Sequence, residues 1–274
     1  EMTSNNLDKA SFQTDYVRLN VEQKDSVLLI ELNRPEKYNA FDSLMIQELS
    51  KALTEYEQRD ELRCALLYAR GENFTTGLDL MELQDKVLSG IFDYPNDCID
   101  PWGVSGMPRT KPYVVAVQGL CFTAGIELML NADIVIASDD SCFAQMEVQR
   151  GLMPFGGATI RFVQTAGWQK AMRYLLTGDR FDAATADAMG LVSQVVPKGE
   201  QFAVALKIAT QISSHSAPLA VKRLLQSAKQ GTEQDPKTAF ANVLGYLPDL
   251  FLSQDFAEGV ASLREKRPAQ FQGK

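Results

Sequence analysis

Apolar residues fall along this chain in short runs divided by polar, glycine-bearing turns, and the spacing inside each run predicts the element. Val27–Leu32, Cys64–Ala69, Tyr113–Val117 and residues 133–137 are too short for helices and mostly β-branched or aliphatic, so each reads as a buried strand. Residues 16–21 read as an edge strand, and residues 191–196, stopped by Pro197, as a further one. Phe41, Leu44, Met45, Leu49, Ala52, Leu53 and Tyr56 recur at helical spacing and predict a helix over residues 42–58 that packs on a sheet. Helices are also predicted after the small-residue turn Thr75-Thr76-Gly77 and over residues 126–132, 158–167, 168–176 and 185–190. Strands alternating with helices imply right-handed crossovers, a largely parallel sheet and an α/β fold. In such folds ligands bind at the turns beyond the carboxyl ends of the strands.

Three stretches depart from this rhythm. Residues 1–15 are polar and read as a loose tail. Residues 85–112 carry Phe92, Tyr94, Trp102, Pro95, Pro101 and Pro108 without a period, the composition of a lid or pocket wall. Beyond Pro197 the pattern is helical and ends in Arg264, Lys266 and Arg267. The chain therefore divides into a tail (1–15), an α/β core (16–198) and a helical C-terminal region (199–274) that docks on the core or on another subunit.

With 274 residues, 45% of them hydrophobic, the chain is long enough for a large core. A net charge of −8 argues against a broad nucleic-acid surface, which needs clustered positive charge. No run approaches the ~18 apolar residues of a membrane span, and the polar start lacks the apolar centre of a secretory signal. Cys64, Cys98, Cys121 and Cys142 form no CxxC pair, so zinc and redox motifs are absent and the thiols are expected reduced and buried, as in the cytoplasm. No metal site is expected. Neither GxxxxGK[ST] nor GxGxxG occurs, which removes the nucleotide fingerprints. The single histidine, His215, reads as a helix-start residue, so acid–base chemistry falls to carboxylates.

Two glutamates lie beside glycine-bearing turns. Thr123-Ala124-Gly125 follows a strand and opens a helix with Glu127 in its first turn; Glu147 precedes a loop with Gly151, Pro154, Gly156 and Gly157. The free N–H groups of a helix N-terminus can stabilise a carbonyl oxygen that gains charge, and an apolar setting tunes a carboxyl group for proton transfer. On spacing alone the helix dipole also accounts for a first-turn glutamate.

The segments NRPEKYNAF, FTTGLDL, KPYVVAVQG, GIELMLNADIVIA, FAQMEVQRGLMP, LLTGDRFDAATADAMGLVSQVVP and EGVASLREKR, in this order, resemble the crotonase superfamily of enoyl-CoA hydratases and isomerases over residues 16–271. The resemblance implies a spiral of ββα repeats with a helical C-terminal trimerisation region, assembled as a trimer or dimer of trimers. It implies an enoyl-CoA hydratase that adds water across the 2,3 double bond, with no cofactor because coenzyme A is part of the substrate. By motif position it puts Glu127 and Glu147 in catalysis and the oxyanion-holding N–H groups at Thr76 and Ala124. Coenzyme A contacts then fall at Lys37, Ala40, Thr76, Gly77, Leu78, Asp79 and Gly125, with Lys266 from a neighbouring subunit. Two departures bear on the acyl pocket. The usual glycine run is Thr123-Ala124-Gly125, and Phe155 follows Pro154 where glycine is common. An isomerase working through Glu147 alone is the first alternative, and Glu127 argues for hydration over it. A non-catalytic acyl-CoA-binding subunit is the second, and the pair of glutamates argues against it.

Overall fold

The structure, a computed structural model, describes residues 15–274. The tail expected over 1–15 lies, except for Asp15, outside the described residues.

The strands β1 (Leu19–Lys24), β2 (Val27–Leu32), β3 (Cys64–Ala69), β4 (Tyr113–Val117), β6 (Ile134–Ser138) and β9 (Gln194–Val196) form one sheet in that order. A hairpin joins β1 to β2, and every later pair is parallel. A smaller sheet takes β5 (Leu120–Phe122), β7 (Cys142–Ala144) and β8 (Phe181–Asp182), with a bridge from Thr75 to Cys121 extending it. Each stretch from a large-sheet strand to the next helix thus visits the small sheet: β3, Thr75 and α2 (Leu80–Val87); β4, β5 and α3 (Ala124–Asn131); β6, β7 and α4 (Ala158–Ala166). This is the ββα repeat, turned about one axis.

Both faces of the central strands β2, β3 and β4 are buried, which is why they are near-continuous apolar runs. Leu28, Ile30, Leu67, Val115 and Val117 point into the main core with α1 (Ser43–Gln58). Val27, Leu29, Leu66, Val114 and Ile136 point the other way, and α7 (Gln201–His215) covers them with Ala205 and Ala209. The expected boundary at 198/199 therefore falls just before a helix that packs on the sheet. Helices α5 (Trp168–Leu175), α6 (Ala183–Ala188), α8 (Pro218–Glu233), α9 (Pro236–Asn242), α10 (Leu247–Phe251) and α11 (Gln254–Glu265) complete the chain. No described helix is long and apolar enough to cross a membrane.

Several sequence expectations are corrected. The edge strand begins at Leu19 rather than 16, because the N–H groups of Val17 and Arg18 are taken by the Glu48 carboxylate at 2.8 and 2.6 Å. Leu44 is 37% exposed and off the packing face of α1. Residues 191–193 lie outside β9. His215 ends α7 instead of opening a helix, and Pro218 at the first turn of α8 makes the new start. Helix α6 starts two residues early, where the Asp182 carboxylate accepts from Thr185 N–H at 2.8 Å. Cys64 and Cys121 are buried, but Cys98 and Cys142 are partly exposed.

Asp42 fixes the entry of α1. Its carboxylate accepts from Met45 N–H at 2.9 Å and pairs with Arg18 at 2.9 Å and Arg34 at 3.8 Å. Asp42→Ala removes cap and ion pairs together and is expected to cost about 2 kcal/mol in denaturant unfolding. Asp42→Asn keeps the cap and is expected to cost less than half of that.

Candidate active site

The first helix-opening turn and the second small-residue turn lie against each other. A Cβ on Gly77, whose φ is +96°, would sit 1.8 Å from Thr123 Oγ1, and one on Gly125 would sit 2.7 Å from the Thr75 methyl. Only bare backbone fits at these two positions. Thr123 itself has φ +50°, a left-handed value that costs a threonine energy and that its N–H bond to Ala144 O (2.9 Å) helps hold. That turn starts α3 two residues earlier than the hydrophobic period indicates, at Ala124.

The consequence is a pair of free donors. Ala124 N–H is the first of α3 and has no acceptor among the described residues. On the facing turn the free amide is not the expected one. Thr76 N–H is occupied by Tyr38 O at 3.2 Å and Gly77 N–H by Thr75 Oγ1 at 3.1 Å, whereas Leu78 N–H has no acceptor among the described residues. A parallel bridge between Phe41 and Leu78 holds the turn: Phe41 N–H donates to Gly77 O and Asp79 N–H to Phe41 O, each at 2.8 Å. The bridge spends the amides on either side of Leu78 and turns Leu78 N–H outward. Leu78 and Ala124 both line one cavity of about 260 Å³, with Thr76, Glu127 and Glu147.

Glu127, on the first turn of α3, is 4% exposed. Its Oε2 accepts from Ala158 N–H, the first of α4, at 3.0 Å, and Gly156 N–H is a second donor. Glu147 opens a short 3₁₀ helix (Glu147–Arg150), is 9% exposed, and has an Oε1 that is buried without a hydrogen-bond partner. Burial pushes the Glu127 carboxyl up to about 7, opposed by the two backbone N–H groups and reinforced by the charge of Glu147. Burial pushes Glu147 up to about 7 as well, opposed only by its own backbone N–H.

The irregular stretch is a wall rather than a lid. Ser50 Oγ–H donates to Ile99 O at 2.6 Å and Ile99 N–H to Thr54 Oγ1 at 2.9 Å, fastening it to α1. The Asp100 carboxylate, 4% exposed, accepts from the N–H groups of Trp102, Val104 and Ser105 at 2.9–3.0 Å. Arg161 of α4 grips Trp102 O and Gly103 O at 2.6 and 2.7 Å. The Trp102 indole N–H donates to Ala124 O at 3.0 Å, and its ring meets Phe41 and Phe92 edge-on. Phe155 closes against Phe92 with ring centroids 5.5 Å apart. Hydrophobicity located this loop in the sequence, but nothing there marked Trp102 as a partner of the Ala124 peptide.

The other expected contacts take support positions. Asp79 caps α2 and pairs with Arg34 at 3.1 Å, Arg34 holds Ala40 O at 2.9 Å, and buried Asn39 bonds the carbonyls of Arg70 and Asn73 at 2.9 Å. Arg34 and Asn39 were not legible as part of this frame. Lys37 is exposed at the end of a 3₁₀ turn and does not line the cavity. Lys266, exposed at the end of α11, does not line it either. Among the described residues no group of three or more His, Cys, Asp or Glu side chains could hold a metal ion.

A profile of the enoyl-CoA hydratase/isomerase family matches residues 22–274. A probable enoyl-CoA hydratase/isomerase from Mycobacterium abscessus superposes with a TM-score of 0.91 at 44% identity, covering 95% of this chain and 100% of that one. The mevalonyl-coenzyme A hydratase of Aspergillus fumigatus is 35% identical over 89% of this chain and 91% of its own. The 2,3-dehydroadipyl-CoA hydratase of Escherichia coli is 31% identical over 93% and 98%. With a matching profile over nearly its whole length and a shared fold, the chain belongs to the enoyl-CoA hydratase/isomerase family, the crotonase superfamily.

Proposed function

We propose that the cavity hydrates a 2-enoyl-CoA thioester with Leu78 and Ala124 as oxyanion donors and Glu127 and Glu147 as the acid–base pair. The observation that carries this reading is the convergence of two unpaired N–H groups and two buried carboxyl groups on one cavity. The thioester carbonyl oxygen sits on the two N–H groups, which stabilise the enolate formed as water adds to the β-carbon. Glu127 takes the proton of that water, because the Ala158 and Gly156 N–H groups favour its charged form. Glu147, which lacks such donors from neighbouring residues, keeps its proton and delivers it to the α-carbon. Trp102 acts as a positioning residue by holding the Ala124 carbonyl, one peptide unit beyond the donating N–H. No cofactor beyond the thioester enters the reaction.

The assembly belongs to the same reading. Phe240, Leu244, Leu252 and Leu263 on the C-terminal helices are 73–86% exposed, an apolar surface suited to a trimer or dimer of trimers.

With crotonyl-CoA, Glu127→Gln and Glu147→Gln are each expected to lower kcat at least 10³-fold with KM changed little, read from loss of the conjugated thioester absorbance. Wild-type turnover that survives either change would overturn the pair.

Titration gives a second expectation. Activity needs one carboxyl ionised and one protonated, so kcat/KM should follow a bell centred near pH 7. Stability changes in one direction only. Both carboxyls ionise near 4.3 in the unfolded chain but near 7 when folded, so the unfolded state is favoured progressively as pH rises from about 4 through 7. Glu127→Gln removes this penalty and should unfold later than wild type by about 1–2 kcal/mol at pH 8, with little difference at pH 4.

Trp102→Phe keeps the aromatic wall and loses the bond to Ala124 O. Its kcat is expected to fall about tenfold with KM within threefold of wild type. A change confined to KM would assign Trp102 to substrate packing alone.

A further inference from the structure

We propose that Arg150 reads a carboxylate at the far end of the acyl chain, so that the preferred substrates are enoyl-CoA thioesters of dicarboxylic acids. The inference rests on the hydratase reading above and names its substrate class. Arg150 is the only basic residue that lines the catalytic cavity among the described residues. Its side chain is exposed and makes no hydrogen bond, ion pair or ring contact with any of them. Its place follows from local geometry. Glu147 and Arg150 are the first and last residues of a 3₁₀ helix, where side chains three apart are eclipsed. The Arg150 side chain therefore leaves the helix on the same face as the proposed acid, exposed where Glu147 is buried.

The other charges of the cavity do not use it. Asp100 spends its carboxylate on three backbone N–H groups. Glu127 is bound by α4, and the charges that act on Glu127 and Glu147 do not include Arg150. The side of the cavity next to Arg150 is apolar, with Leu152 and Phe155 following it in the chain and Phe92 packed on Phe155. An aliphatic chain fits against those walls. A planar guanidinium at their edge matches a terminal carboxylate by two parallel hydrogen bonds. The residues by which the resemblance places coenzyme A, Lys37, Ala40, Thr76, Gly77, Leu78, Asp79, Gly125 and Lys266, all lie outside the 3₁₀ helix that carries Arg150.

The test compares 2-hexenoyl-CoA with the six-carbon 2-enoyl-CoA that ends in a carboxylate, in wild type, Arg150→Lys and Arg150→Gln. In wild type, kcat/KM for the carboxylate-ended thioester should be at least tenfold higher. In Arg150→Gln that preference ratio should fall at least thirtyfold, carried by KM, and Arg150→Lys should restore part of it. Calorimetric binding of the two saturated analogues gives the same ratio without turnover. It separates the proposal from the hydratase reading, which fails alone if both analogues bind with the expected preference and neither enoyl thioester reacts. An unchanged ratio overturns the proposal. So does an equal loss on both thioesters that vanishes with their phosphate-free N-acetylcysteamine counterparts, which would assign Arg150 to the phosphates of coenzyme A. A shift in assembly mass for Arg150→Gln would overturn it too, by assigning the guanidinium to a subunit contact.

Discussion

The site depends on a close approach of two turns that leaves no room for a side chain at Gly77. The turn after β3 and the turn after β5 touch at Gly77 and Thr123, where a Cβ on the glycine would overlap the threonine hydroxyl at 1.8 Å. The rest of the local architecture is explained by what holds the turns there. The Phe41–Leu78 bridge fixes one, and the Thr123–Ala144 bond with the Trp102 indole fixes the other. The left-handed Thr123 is the conformational cost of this arrangement, found where an active site is assembled rather than in the body of the fold.

The ββα repeat supplies the geometry for this contact. Each passage from the large sheet to the small one reverses the chain beside a helix start, so Thr75 and Cys121 become neighbours although 46 positions apart in sequence number. Helix N-termini then gather on one side. Glu127 is gripped by the start of α4 while it sits on the first turn of α3, so a single carboxylate ties two repeats together. The same contact sets its chemistry, because those N–H groups favour its ionised form against burial. Packing and proton affinity are one arrangement here.

Much of this was legible in the sequence because the strands are buried on both faces. Val27–Leu32, Cys64–Ala69 and Tyr113–Val117 coincide with the observed strands residue for residue, since an apolar run flanked by turns has one solution in a parallel sheet. The three short strands of the small sheet were not legible. Leu120–Phe122, Cys142–Ala144 and Phe181–Asp182 are two or three residues long, below any period, and are strands only because the repeat brings them together. The wall at 85–112 was legible as aromatic and irregular, but its rigidity was not. That rigidity comes from Asp100, Ser50 and Arg161, polar groups whose partners are set by tertiary structure.

The free amide at Leu78 shows the same limit at a single position. The sequence places small residues at Thr75, Thr76 and Gly77, and a motif reading puts the oxyanion at Thr76. Which amide is free is decided by hydrogen bonds between segments far apart in the chain: Tyr38 takes Thr76 N–H, and Phe41 takes Asp79 N–H. An amide in this turn is either bonded or faces the cavity, so the accounting of partners singles out Leu78 as the free one where composition cannot. The Leu78 side chain is large, yet it is tolerated because it lines the cavity while the backbone contact falls on Gly77. Which amide stays free in this turn is therefore specified less by its own residue than by the neighbours that occupy the competing amides.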